Sequence, residues 1–267
     1  MNAHDEPRAI ALSVIIPAFN EAARIEDCLS EITAYFKQRG IAYEVLVVDD
    51  GSRDGTALLV ERCRKDDQAV RLLRLARNMG KGYAVRAGVR EARGALLLIA
   101  DADGATPIRE LERLEAAIKG AADLAIGSRF LASHDSRYRV KALWHRTVLG
   151  NLFNLVVQGL GLRGITDTQC GFKLLRGAVA LDLFSVARIN GYGLDLEILY
   201  VAQRRGYRIA EVPVNWADQP GSKVRVFQDG FWMLLELLIV RRNYARGLYA
   251  PRNREERNEV IVARRQA

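Results

Sequence analysis

The sequence is poor in cysteine and histidine and has no long apolar run. Its three cysteines, Cys28, Cys63 and Cys170, are spread over 267 residues. They are odd in number and far apart, which excludes a disulfide framework and a zinc-type spacing and fits a reducing compartment. His134 and His145 stand without metal-type spacing. No stretch reaches about 18 apolar residues free of charge, the usual mark of a membrane-spanning helix. Met1 to Arg8 is polar and charged, so no secretory signal is expected. Glycine fingerprints are missing too. Pro17-Ala18-Phe19-Asn20-Glu21 stands where a dinucleotide fold wants Gly-x-Gly-x-x-Gly. Gly80-Lys81-Gly82 lacks a third glycine, and no phosphate-binding P-loop is present.

Basic charge is in excess. Lys plus Arg number 40 and Asp plus Glu 32, a net charge of +8. That balance suits nucleic acid, an anionic membrane or a phosphorylated substrate, and its spread along the chain does not choose among them. The length suits one large domain or two small ones. No repeat or linker divides it.

The first half alternates strand and helix. Short apolar runs at Leu12–Ile16, Glu44–Val48, Val70–Leu73, Leu96–Ile99 and Leu124–Ile126 read as buried strands. Helices are expected over Glu21–Gln38, Asp54–Arg64, Lys81–Arg93 and Pro107–Lys119. This order predicts an α/β fold with a mostly parallel central sheet flanked by helices. The second half is less regular. Ala132–Arg139 reads as a mobile loop and Ala142–Leu160 as a helix. Phe172–Phe184 reads as strand then helix, Leu194–Arg205 as helix and Arg208–Val212 as strand. Phe231–Val240 is apolar but carries Glu236 and stops at Arg241-Arg242. It suits either a core helix or one lying in a membrane interface.

Chemistry concentrates after the strands. Asp101-Ala102-Asp103-Gly104 follows the fourth strand. Residues two apart on a strand share a face, so both carboxylates can address one site. Two hard oxygen donors suit Mg²⁺ or Mn²⁺, with substrate phosphate oxygens completing the shell. Pro17–Glu21, Asp49–Thr56 and Asn78–Gly82 follow the first three strands and fall on the same edge. Carboxylates there can meet ribose or base, while Lys81 and helix N-termini can meet phosphates.

Three segments resemble the family 2 glycosyltransferases of GT-A fold: Val14–Glu21, Val47–Thr56 and Asp101-Ala102-Asp103. The match runs over about residues 12–225. It is most similar to the branch that glycosylates polyprenyl phosphates, through Asp101–Thr106, Asp167–Lys173, Val214–Trp216 and Pro220–Val224. The resemblance implies a GT-A domain over residues 10–225, an amphipathic helix over 226–250 and a charged tail over 251–267. It implies that Pro17, Ala18, Phe19 and Glu21 shape the base and ribose pocket. Asp50 would meet the base, with Asp49 supporting its loop. Lys81, Asp101, Ala102 and Asp103 would lie along the diphosphate, with the metal on Asp101 and Asp103. Arg129, Lys173 and Lys223 would face the acceptor phosphate, and Gln169 the sugar and acceptor side. The plain alternatives are a surface ion pair for Arg129 and a solvated Lys173.

The implied reaction is inverting, metal-dependent transfer of a hexose from a nucleotide-sugar, UDP-glucose foremost, to a polyprenyl phosphate. Two departures speak against a GDP-mannose enzyme of the same branch: Gly104-Ala105 where Leu-Gln is usual, and Asp218 where an Arg is usual. A lipid phosphate is already an anion, so no general base is needed. Attachment is expected to be peripheral, on the cytoplasmic face of a membrane. A homo-oligomer is left open. The competing class is a non-catalytic protein that binds a nucleotide-sugar or a membrane surface. Nucleic acid is not expected, since clustered carboxylates repel phosphate backbones.

Overall fold

The computed structural model describes residues 9–141, 144–219, 221 and 226–250. The strands are β1 Leu12–Ala18, β2 Tyr43–Asp49, β3 Val70–Arg74, β4 Leu96–Ile99, β5 Leu124–Ser128, β6 Val140–Lys141, β7 Lys173–Arg176, β8 Ile209–Pro213 and β9 Trp216–Ala217. The helices are α1 Ile25–Arg39, α2 Thr56–Asp66, α3 Lys81–Glu91, α4 Leu111–Lys119, α5 Arg129–Ser133, α6 Trp144–Gly159, α7 Gly177–Val186, α8 Leu194–Arg204 and α9 Val226–Ala245.

Seven strands form one sheet in the order β3-β2-β1-β4-β7-β5-β8. Only β7 runs antiparallel to its neighbours β4 and β5. The central strands are apolar on both faces because helices cover both. Alternation divides them cleanly. Ile15, Leu46, Val48 and Ile99 pack towards α3, α7, α8 and α9. Val14, Ile16, Val45, Val47 and Leu98 pack towards α1, α2 and α4. The parallel strands end on one edge, and antiparallel β7 begins there. Loops from seven places in the sequence therefore meet at one rim.

Some boundaries differ from expectation. The first helix begins at Ile25, not Glu21. Thr56 Oγ1 accepts the Glu21 amide at 2.8 Å and Asp54 Oδ2 the Ala22 amide at 3.1 Å. The loop after β1 is thus tied to the loop after β2 before the helix can start. Ala132 and Ser133, expected in a loop, close α5, and Ala132 is buried. The rest of that loop is held by Arg113 to Tyr138 and by the Arg139 amide to Asn215 Oδ1 at 2.8 Å. β6 and β9 pair beside it as a separate two-stranded ribbon. In α9 Met233, Leu237 and Val240 are core, while Phe231, Trp232, Leu238 and Ile239 are exposed. No helix among the described residues is long and apolar enough to cross a membrane. Ala142, Leu143, Pro220, Ser222, Lys223, Val224 and the tail from Pro251 lie outside the described residues.

Candidate active site

Asp101 and Asp103 leave β4 at the rim and line one cavity of about 950 Å³. Asp101 Oδ1 receives the Lys81 ammonium at 2.7 Å. Burial alone would raise the Asp101 carboxyl, but Lys81 outweighs it and holds it below the usual range. Lys81 shifts upward in turn: burial opposes its charge, and Asp101 and then Asp195 overcome that. Asp103 shifts the other way. Burial pushes its carboxyl up, and neighbouring Asp101 adds to it. Its Oδ1 accepts the Ala105 amide at 3.0 Å, closing the turn after the strand. The chain entering β7 passes against Asp101. A Cβ on Gly171 would stand 1.9 Å from Asp101 Oδ2, so only glycine leaves the carboxylate its place.

A second cleft, of about 620 Å³, is lined by Phe19, Asn20, Gly51–Arg53 and Arg74–Asn78. Phe19 lies in its wall. Pro17 and Ala18 belong to β1 and contribute through the backbone, Ala18 O accepting the Asp50 amide at 2.8 Å. Both aspartates are buried and hold loops. Asp50 spends both oxygens on the loop after β3, accepting from the Met79 amide at 2.7 Å and the Gly80 amide at 2.9 Å. Asp49 accepts the Ser52 amide on Oδ1 at 2.9 Å. Its buried Oδ2 has no hydrogen-bond partner among the described residues and stands 3.4 Å from Arg74 Nε. Glu21 pairs with Arg24. The N-terminus of α3 is not open to phosphate: Asn190 O already accepts the Gly82 amide at 2.7 Å and the Tyr83 amide at 3.3 Å. Lys81 alone carries the phosphate-seeking charge of that turn into the cavity.

Arg129 opens α5 and grips buried Asp167 as a fork, Nε to Oδ2 and Nη2 to Oδ1, each 2.7 Å. Glu211 on β8 fixes the Asp167 backbone, accepting the Thr166 and Asp167 amides at 2.9 and 2.8 Å. The guanidinium lies 5.4 Å from the Trp216 ring centre. Arg129 is therefore no chance surface pair. Gln169 lines the same cavity, and its buried Nε2 has no partner among the described residues. A buried donor left unsatisfied is costly, and a ligand oxygen would satisfy it.

Lys173 is the clearest correction. It does not line the cavity and is not solvated: it is 1% exposed, donates to Cys170 O, and pairs with Asp195 Oδ1 at 2.8 Å. Asp195 in turn lines the cavity beside Lys81 and Asp101. Three ion pairs thus stand at the cavity, Lys81–Asp101, Arg129–Asp167 and Lys173–Asp195. The cavity also has an apolar wall, of Leu149, Leu152, Phe153 and Val156 of α6 and Phe231 and Leu234 of α9.

Residues 13–184 match the model of the glycosyl transferase family 2. The chain belongs to that family. It is a glycosyltransferase, similar over most of its length to proteins named dolichyl-phosphate beta-glucosyltransferase. The mouse protein is 40% identical over 254 residues, covering 89% of this chain and 77% of its own. That of Dictyostelium discoideum is 37% identical over 253 residues, covering 90% and 76%. Among solved structures, glucosyl-3-phosphoglycerate synthase from Mycobacterium tuberculosis, in complex with Mn²⁺, UDP-glucose and phosphoglyceric acid, superposes with a TM-score of 0.67. The identity is 17%, and 86% of this chain and 79% of that one are covered. Mannosyl-3-phosphoglycerate synthase from Rubrobacter xylanophilus gives 0.67 at 20% identity, covering 89% and 75%. At those identities the likeness shows the GT-A fold.

In this glycosyltransferase the donor set fits a hard divalent cation. No cluster of three or more His, Cys, Asp or Glu exists among the described residues. Asp103 and Asp101 supply carboxylate oxygen only, the donor type of Mg²⁺ and Mn²⁺, which take further ligands from substrate phosphate and water. Asp101 adds to burial in raising the Asp103 carboxyl, and a cation held by the pair would offset that repulsion. Asp195 and Tyr192 are among the cavity residues that sequence reasoning missed. The one local signal is their setting, Gly191-Tyr192-Gly193 running into a helix whose first turn is acidic.

Proposed function

We propose that the chain transfers glucose from UDP-glucose to a polyprenyl phosphate such as dolichyl phosphate, with inversion to a β-linked product. One observation carries this reading. A single cavity is lined both by paired carboxylates and cations and by apolar side chains of α6 and α9. A sugar acceptor has no use for the apolar wall; a prenyl phosphate uses both. The names of the relatives support the same donor sugar and acceptor.

The uracil and ribose sit in the cleft beside Phe19, and the diphosphate runs past Lys81 to Asp101 and Asp103. Asp103, with Asp101, would hold Mg²⁺ or Mn²⁺, which when bound offsets the charge of the departing diphosphate. Lys81 adds a fixed cation on the same side. Arg129, held by Asp167, positions the acceptor phosphate, and Gln169 Nε2 donates to a ligand oxygen. Lys223 is proposed as a further acceptor clamp. Asp195 accepts from hydroxyls of the transferred hexose. One phosphate oxygen attacks the anomeric carbon, the bond to the β-phosphate oxygen breaks, and UDP leaves. The nucleophile is already anionic, so no proton has to be removed.

The acceptor is proposed to be reached from the cytoplasmic leaflet by peripheral contact. A competition assay on a short, water-soluble prenyl phosphate tests the reading. UDP-glucose is expected to be consumed in preference to GDP-mannose; use of GDP-mannose alone would overturn it.

A further inference from the structure

Glu236 is the one charge inside the apolar run Phe231–Val240. It is half-buried on α9, and among the described residues no cation pairs with it. Burial raises its carboxyl, and the Gly193 amide offsets only part of that. An apolar residue would suit this helix better, so the carboxylate is explained by what it holds.

What it holds is the turn that leads into α8. Glu236 Oε2 accepts the Gly193 amide at 2.8 Å. The turn lies flat against the carboxylate: a Cβ on Gly191 would stand 2.7 Å from Glu236 Oε1, and one on Gly193 would overlap Oε2. Between the two glycines stands Tyr192, which lines the cavity, and Asp195 in the first turn of α8 lines it too. The chain before the turn has anchors of its own. Arg86 donates to Ile189 O and Asn190 Oδ1, and Glu197 accepts the Arg188 and Ile189 amides, each at 2.9 Å. Asn190 O in turn holds the head of α3 beside Lys81. Loss of Glu236 therefore frees the turn at Tyr192 and leaves the Lys81 side tied.

We propose that Glu236 is a positioning residue for the transfer, fixing the Gly191-Tyr192-Gly193 turn from α9 so that Tyr192 and Asp195 hold the hexose in place for attack. This role rests on the reading above, which lays the hexose against Asp195. Glu236 does not itself line the cavity, whereas Phe231, Met233 and Leu234 of the same helix do. One rigid element thus sets the acceptor wall and, through Glu236, the sugar wall, and the distance between the reacting atoms follows from both.

Two variants test it. Glu236→Met keeps the length of the side chain and its helix propensity and removes the acceptor; Glu236→Gln keeps an oxygen for the Gly193 amide. Glu236→Met should melt within a few degrees of wild type and lose kcat at least roughly tenfold, with KM for a short prenyl phosphate and calorimetric affinity for UDP within about threefold. Glu236→Gln should restore kcat to within about threefold of wild type. Rates are compared on the nucleotide-sugar that the wild type turns over fastest. A wild type that favours a donor other than UDP-glucose contradicts the donor reading, and the ratios between variants still decide the role of Glu236. Full turnover by Glu236→Met, a Glu236→Gln no better than Glu236→Met, UDP affinity lost in step with kcat, or a melting temperature lowered by roughly ten degrees or more, the mark of a merely structural group, would each overturn the proposal.

Discussion

Lys173 Nζ stands 2.8 Å from Asp195 Oδ1, one side chain wholly inside the protein and the other in the cavity wall. The lysine is a positioning group. It fixes the Asp195 carboxylate in the cavity wall, where the proposed reading puts the transferred sugar.

Lys173→Met tests this. The change removes the cation and leaves Asp195 partly buried without it, which should cost on the order of 3 kcal/mol of stability. In folded protein kcat should fall at least roughly tenfold, while affinity for UDP, which carries no hexose, stays near wild type. Calorimetry with UDP beside steady-state kinetics separates the outcomes. A lysine acting on the acceptor would instead raise KM for the prenyl phosphate and leave kcat less affected.

Much of this arrangement was legible in the sequence. The strand-helix alternation reported the sheet because its central strands are buried on both faces and so read as unbroken apolar runs. Asp101 and Asp103 fell where their spacing placed them. The antiparallel course of β7 was not legible, because Lys173-Leu174-Leu175 carries no mark of direction. That reversal sends Lys173 inward. Nor was the inward turn of Asp50 legible, since it depends on amides donated by Met79 and Gly80 from another loop. Asp195 was missed because its meaning lies in a partner on a distant strand.

Gly171→Ala should be as damaging as a change to a charged residue. The added Cβ would meet Asp101 Oδ2 at 1.9 Å, and the carboxylate has to swing away from Lys81. Transfer should drop at least ~100-fold, the order seen when a preorganised charge-stabilising group is lost. The melting temperature should move by only a few degrees. An alanine variant with wild-type turnover would show that Asp101 need not hold its place.

The Arg129–Asp167 fork sets a pH dependence. Burial would raise the Asp167 carboxyl, but Arg129 outweighs it and holds it below its ordinary value of about 3.9. A depressed acid binds fewer protons when folded than when unfolded. Its stabilising contribution is therefore full above about pH 4 and lost as pH falls through the lower folded value. Denaturant melts of wild type and Asp167→Asn should differ most at neutral pH, by on the order of 3 kcal/mol, and converge in acid. A gap that widens on acidification would contradict the sign.

The central claim is that one cavity brings a UDP-sugar to a lipid phosphate. Its most direct measurement is the product formed by purified protein from UDP-glucose and a short prenyl phosphate with Mg²⁺ or Mn²⁺, identified by mass spectrometry and the anomeric proton coupling. The expected product is a β-glucosyl prenyl phosphate, formed with release of one UDP, abolished by chelation and absent with Asp103→Asn. An α-linked product, transfer to free saccharides in place of the prenyl phosphate, or full turnover by Asp103→Asn would contradict the account.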